Sequence, residues 1–208
     1  MKGLNNMLNI VTTGGDFDPY VKYNAKAGRW YVKKDEGEVE VTNPTFVADF
    51  ENIKTGWFFF KAGAAPQKVF DESLEKPSAK PQQTYVDEKG VTRDCFKRGF
   101  ETKLYSEQSF GGVVVLSGAS MHLNNAIAEL YAQYKQEAKN NAGKLPVVQA
   151  SGTVAMKDKQ GTNYKPLFQI VKWVDRPAAL AGDKTTAATA PEAVAAPAAQ
   201  AATAVSEF

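Results

Sequence analysis

The 208-residue chain has one cysteine, one histidine and no apolar run long enough to span a membrane. Cys95 alone cannot close an intrachain disulfide, so nothing points to an oxidising compartment. One histidine and one cysteine do not make a zinc ligand set. After Met1 and Lys2 come asparagines where a signal peptide needs an apolar segment, and a cytoplasmic location is expected. The phosphate-binding pattern Gly-x-x-x-x-Gly-Lys-Ser/Thr and the nucleophile elbow Gly-x-Ser-x-Gly are both missing. His122 suits a surface or capping position in a helix's first turn. Asp16 and Asp18 precede Pro19 as turn formers do. A metal-dependent nuclease built on these two aspartates remains a third reading. These absences argue against an enzyme, and no cofactor or metal is expected.

What is present fits a packed domain: 43% hydrophobic residues, 11% aromatic, and a net charge of +2. The charge is unevenly spread. Residues 181–208 hold Lys184 against Asp183, Glu192 and Glu207, a net of −2; the rest holds 24 basic and 20 acidic residues, a net of +4. The tail is nearly all Ala, Thr and Pro and cannot bury enough surface to offset its ordering entropy. The expected organisation is one domain over 1–180 and a disordered tail over 181–208.

Along that domain, β-prone runs at 8–13, 20–23, 29–34, 39–42, 45–50 and 56–61 are separated by Gly, Asn, Asp and Pro. Residues 62–84 read as a loop and 85–91 as a hairpin tip. Val113, Val114, Val115 and Leu116 are apolar on both faces, as in a central strand. Leu123, Ile127, Leu130, Tyr131, Tyr134 and Ala138 trace one helical stripe, with Ser120 placed to cap it and Gly143 and Pro146 beyond its end. Strands at 145–156 and 167–174 follow. The fold class expected is mainly β, a β-rich α+β chain with one prominent helix.

Residues 20–34 hold five cations and no acid, with rings threaded between them. A five-residue link, 24–28, joins two β-prone runs into a hairpin. Arg29, Tyr31 and Lys33 fall on one strand face, and Trp30, Val32 and Lys34 on the other. Cations that follow phosphates and rings that accept unstacked bases suit a single nucleic-acid strand. Taken alone, the stretch suits an exposed hairpin covering a small core at least as well. The same mixture recurs at Arg93, Lys97, Arg98, Phe100, Lys103 and Tyr105. In the run 57–60, either Trp57 with Phe59 or Phe58 with Phe60 faces away from the core, next to Lys61. Candidate nucleic-acid contacts are therefore Lys22, Tyr23, Lys26, Arg29, Trp30, Tyr31, Lys33, Trp57, Phe59, Lys61, Arg93, Lys97, Arg98, Phe100, Lys103, Tyr164 and Lys165.

Several segments together resemble the oligonucleotide-binding-fold single-stranded-DNA-binding proteins of tailed bacteriophages: Tyr-Asn-Ala-Lys-Ala-Gly-Arg-Trp ending at Trp30, Thr55-Gly-Trp-Phe, Lys144-Leu-Pro-Val-Val, Gly161-Thr-Asn-Tyr-Lys-Pro-Leu-Phe and Trp173-Val-Asp-Arg-Pro. The resemblance covers most of 1–180. It implies a β-barrel of the oligonucleotide-binding type that protects single-stranded DNA, without strong sequence preference, in phage replication or recombination in the host cytoplasm. Such proteins and their bacterial counterparts often end in an acidic tail whose last phenylalanine docks replication partners. Here Glu207 and Phe208 would be the docking residues, with a single acid beside the ring. Expected partners are single-stranded DNA and replication or recombination proteins, with no membrane; self-association stays open. The alternative is a phage protein-interaction module that engages a host replication or transcription enzyme, its exposed rings serving as interface anchors.

Overall fold

The computed structural model describes residues 19–34, 37–61, 64–158 and 161–183 of the chain. The alternating run at the start of this region folds into β1 (Tyr20–Asn24) and β2 (Arg29–Lys34), followed by β3 (Gly37–Val41) and β4 (Thr45–Ala48). Then come β5 (Lys54–Phe59), β6 (Gln67–Phe70), β7 (Thr84–Val86), β8 (Thr92–Asp94), β9 (Lys97–Ser106), α1 (Glu107–Phe110) and β10 (Gly112–Gly118). The main helix, α2 (Met121–Glu137), precedes the long hairpin of β11 (Lys144–Asp158) and β12 (Gly161–Asp175). The protein is mainly β with one main helix. No helix among the described residues is long and apolar enough to cross a membrane.

Ten strands form one open sheet in the order β12-β11-β4-β9-β10-β1-β2-β3, with β5 and β6 branching from β9; β7 and β8 form a separate ribbon. β9 is the shared strand. Its first half pairs with β5 and its second half with β4, while its other edge pairs with β10 from Phe100 to Ser106. The sheet's end strands do not pair with each other, yet the sheet curls strongly. The Tyr164 backbone N–H in β12 donates to the Ala25 carbonyl in the β1–β2 turn at 2.7 Å. Gly28 makes this approach feasible: its φ is +68°, and a Cβ there would sit 3.1 Å from the Tyr164 ring.

The core lies between the concave face of the sheet and α2. Leu123, Ile127, Leu130 and Tyr134 project from the helix onto Val21, Trp30, Val32, Phe46, Phe100 and Leu116. Ser120 caps α2 by accepting a hydrogen bond from the Leu123 N–H. His122 is 8% exposed, not on the surface as expected. The reason is its spacing: four residues before Ala126 and eight before Leu130, it falls on the buried stripe.

Several expected boundaries shift; the last strand, expected from residue 167, begins at Gly161. β4 stops at Ala48 because Asp49 turns its carboxylate inward and a 3-10 turn, Phe50–Asn52, follows. The loop expected over 62–84 contains β6, which pairs with β5 despite Pro66 just before it. Residues 181–183, expected in the tail, complete a 3-10 turn, Ala178–Asp183, that folds Leu180 against Val47, Leu145 and Val147 until only 1% of it is exposed. The β-prone run at 8–13 and residues 184–208, with Glu207 and Phe208, lie outside the described residues, as do Asp16 and Asp18.

A buried ion pair fastens this C-terminal turn. Arg176 donates from both terminal nitrogens to the two Asp49 oxygens at 2.8 Å each, and one nitrogen also reaches Glu51 Oε2 at 2.7 Å. Asn52 donates to Asp49 Oδ2 at 2.9 Å. Removing one partner strands a charge out of water, at a cost of about 3–5 kcal/mol. Arg176→Ala should therefore lower the urea midpoint by the equivalent of about 3 kcal/mol with an unchanged slope. The paired change Asp49→Leu with Arg176→Met should recover part of the loss. A midpoint equal to the parent's for Arg176→Ala would show that the pair does not hold the turn.

Candidate nucleic-acid interface

Cross-strand register determines which candidate residues share the convex face of the sheet. Lys22, Tyr31 and Glu40 form one row across β1, β2 and β3. Tyr20, Val115 and Lys103 form another across β1, β10 and β9. Farther along, Ser117, Glu101 and Lys54 align, then Phe58 opposite Lys97. The part of this face around Tyr105 and Val113 is covered by Leu180 and its neighbours. The open parts lie on the β1–β2 side and around β5.

On the β1–β2 side the outer residues are Tyr20, Lys22, Arg29, Tyr31 and Lys33. The acids of β3 neutralise two of these cations: Lys22 pairs with Glu38 at 2.5 Å and Arg29 with Glu40 at 2.8 Å. Lys22 Nζ also lies 5.6 Å from the centre of the Tyr31 ring. Exposed pairs of this kind contribute about 0–1 kcal/mol, so a phosphate can exchange into them. Lys26 and Lys33 are exposed, with no ion-pair partner among the described residues.

Trp30 leaves the candidate set. It is 4% exposed and packs against Tyr23 and Phe168 on the concave face, where strand alternation puts it once Val21 and Val32 are inside. Phe100, 4% exposed, leaves for the same reason. Tyr23 is half-buried; its hydroxyl donates to the Tyr164 carbonyl at 3.0 Å, and burial pushes its pKa up to about 12. Tyr164 itself lies against Gly28, and Lys165 binds Glu129 at 2.6 Å. Tyr23 and Tyr164 join β12 to the first hairpin, and Lys165 joins it to α2.

The second basic–aromatic region divides similarly. Arg93 pairs with Asp87, and Lys103, half-buried, lends its carbonyl to the Asp49 N–H. Arg98 makes two bonds to Asp71, at 2.9 and 2.6 Å. Asp71 also accepts from Thr55 Oγ1 and from both the backbone and the hydroxyl of Ser78. This node pins residues 71–78 onto β5 and β9. The Trp57 indole donates to the Ser78 carbonyl at 3.0 Å, and Arg98 and Lys80 both lie within 6 Å of its ring centre. Trp57 is therefore occupied by protein groups.

What stays open at this end is a cleft of about 670 Å³ between the end of β5, the β7–β8 ribbon and the start of α2. Its lining includes Phe59, Phe60, Lys61, Tyr85 and Lys97. Phe59 is half-buried and packs on Phe96. Phe60 and Tyr85 are each 48% exposed; in the sequence Phe60 belongs to the alternative outward-facing pair of its run, and Tyr85 is not a candidate contact. Phe60 carried a signal, since it ends the run of four aromatics. Tyr85 carried none, because its approach to β5 is not local. Lys61 and Lys97 are exposed, with no ion-pair partner among the described residues. No protein-family model matches the chain, and no curated protein or solved structure matches it.

The Arg98 guanidinium, with Thr55 and Ser78, holds the Asp71 carboxyl well below the usual carboxylate range. A depressed folded pKa means that this contribution to stability is complete above the ordinary aspartate value, about 3.9, and disappears only as pH falls below it. Trp57 emission in the parent should accordingly stay unchanged through pH 4. Asp71→Asn should shift that emission to the red already at neutral pH, by releasing 71–78 from the ring. Unchanged emission in the variant would mean that the node does not cover Trp57.

Proposed function

We propose that the chain binds single-stranded DNA largely without sequence preference, protecting it in phage replication or recombination. On this reading the curled sheet, with its helix against the concave face and its last strand hydrogen-bonded to its first turn, is a β-barrel of the oligonucleotide-binding type. The observation that carries the proposal is the convex face of β1 and β2. Tyr20, 40% exposed, and half-buried Tyr31 stand there among Lys22, Arg29 and Lys33. Rings at this spacing accept unstacked bases at about 1–3 kcal/mol each, and the lysines and arginine follow phosphates. A double-helix reader would more often present a basic recognition helix. Here α2 spends its apolar face on the core.

A protein-interaction module is the second reading. It is favoured by the exposed apolar side chains Val154, Met156 and Leu167 on the β11–β12 hairpin. Salt separates the two, since single-strand binding weakens with a log–log slope of about −0.7 per phosphate contacted.

The test is fluorescence anisotropy of a labelled poly-thymidine oligonucleotide at several salt concentrations. The parent should bind, with a slope of several phosphates. Tyr31→Ala should weaken binding by about tenfold. The pair Glu38→Gln and Glu40→Gln should tighten it, by releasing Lys22 and Arg29 to the strand. Absence of binding at low salt would overturn the proposal.

A further inference from the structure

The cleft beside β5 contains two half-exposed rings and two lysines with no ion-pair partner among the described residues, which the structure gathers from separate elements. We propose that it is a pocket for one unstacked nucleotide, with the base against Phe60 and Tyr85 and its flanking phosphates on Lys61 and Lys97. The inference rests on the single-stranded-DNA reading and assigns that reading a discrete base-binding position.

The rings are held ready. Phe60 lies parallel to Phe58, with centroids 6.0 Å apart and planes within 8°, so a buried neighbour orients it while half its surface stays in water. Phe58 keeps this place because Gly99 has no side chain: a Cβ there would sit 2.8 Å from the Phe58 ring and 2.3 Å from the Gly118 carbonyl oxygen. Tyr85 comes from the β7–β8 ribbon, whose ladder the Cys95 N–H extends by donating to the Gln83 carbonyl at 2.9 Å; the ribbon joins the body through buried Phe96, which packs on Phe59. Ring orientation fixed in advance lowers the entropy lost on binding.

The charge of the cleft is suited to a phosphate. The one acid that lines it among the described residues, Asp94, is already paired with Lys80, and no described acid pairs with Lys61 or Lys97. Ala119 and Ser120, which immediately precede α2, form another part of the wall and add the positive end of a 17-residue helix to the same side. Gln83, Thr84 and Ser120 supply uncharged polar groups for a base edge. The volume, about 670 Å³, falls in the range of small-molecule sites, roughly 300–1,000 Å³. An apolar peptide segment would fill the rings but desolvate two lysines with nothing opposite them. A nucleotide uses both.

The experiment uses the full chain and a labelled thymidine oligonucleotide, with and without one central abasic position. Phe60→Ala with Tyr85→Ala should weaken binding at least tenfold and leave the salt slope unchanged. Lys61→Ala with Lys97→Ala should reduce the slope by about 1.4, at 0.7 per phosphate. The abasic oligonucleotide should bind the parent more weakly than the intact one, and the ring variant should no longer distinguish them. Lys61 and Lys97 are exposed, so their variant should melt with the parent; the half-exposed rings, Phe60 packed on Phe58, should lower the melting temperature only modestly, and a cooperative melt shows that the ring variant is folded. If the parent binds with the expected salt dependence but the ring variant stays within twofold of it, the pocket is wrong and the single-strand reading stands. If the parent does not bind, both fall.

Discussion

The fold depends on one carboxylate with no exposed surface. Asp49 sits where β9 changes partners, between the half that pairs with β5 and the half that pairs with β4. Its N–H donates to Lys103, its carbonyl accepts from Thr102 Oγ1, and its side chain is taken by Arg176 and Asn52. A fork in a sheet leaves backbone and side-chain groups short of ladder partners, and a buried polar group without a partner is expensive. Asp49 supplies those partners, and Arg176 supplies the opposite charge beside it. Through Arg176 the end of β12 is brought over the convex face, where Leu180 covers Tyr105 and Val113. The small second core, and hence the limit of the open part of that face, follows from this one pair.

A second node works similarly at the other end of β9. Asp71 gathers Arg98, Thr55 and Ser78, so the segment following β6 lies against Trp57 instead of hanging free. Arg98, a candidate phosphate contact in the sequence, is thereby taken by Asp71 and the Trp57 ring, and Lys80 by Asp94 and the same ring. The cations that remain for a ligand are those that no nearby acid reaches.

Much of the local structure was legible, because local periodicity sets it. The stripe from Leu123 to Tyr134, the Ser120 cap and the hairpin around Gly28 need only neighbours within a few residues. Alternation also sorted Arg29, Tyr31 and Lys33 from Trp30 and Val32 correctly. It could not say that Trp30 packs against Phe168 from the far end of the chain. Nor could it say that Glu38 and Glu40 would stand beside Lys22 and Arg29, since that requires the β2–β3 register. The site was least legible where it is least local. Phe60 and Tyr85 meet across a cleft whose walls come from β5, β7, β8, β9 and the start of α2, and no spacing rule links them.

Asp49 and Arg176 are 127 residues apart, and the parallel pairing of β1 with β10 also joins distant parts of the chain. Contacts of such long range slow folding, because loop-closure entropy is lost before the contact is gained. During synthesis the first hairpin emerges long before the strand that covers its edge. Until the last described residues leave the ribosome, Asp49 has no counter-charge, and the rings destined for the core face water. The nascent chain thus passes through a period of exposed apolar surface and unpaired strand edges, the condition in which chains associate with one another or with chaperones.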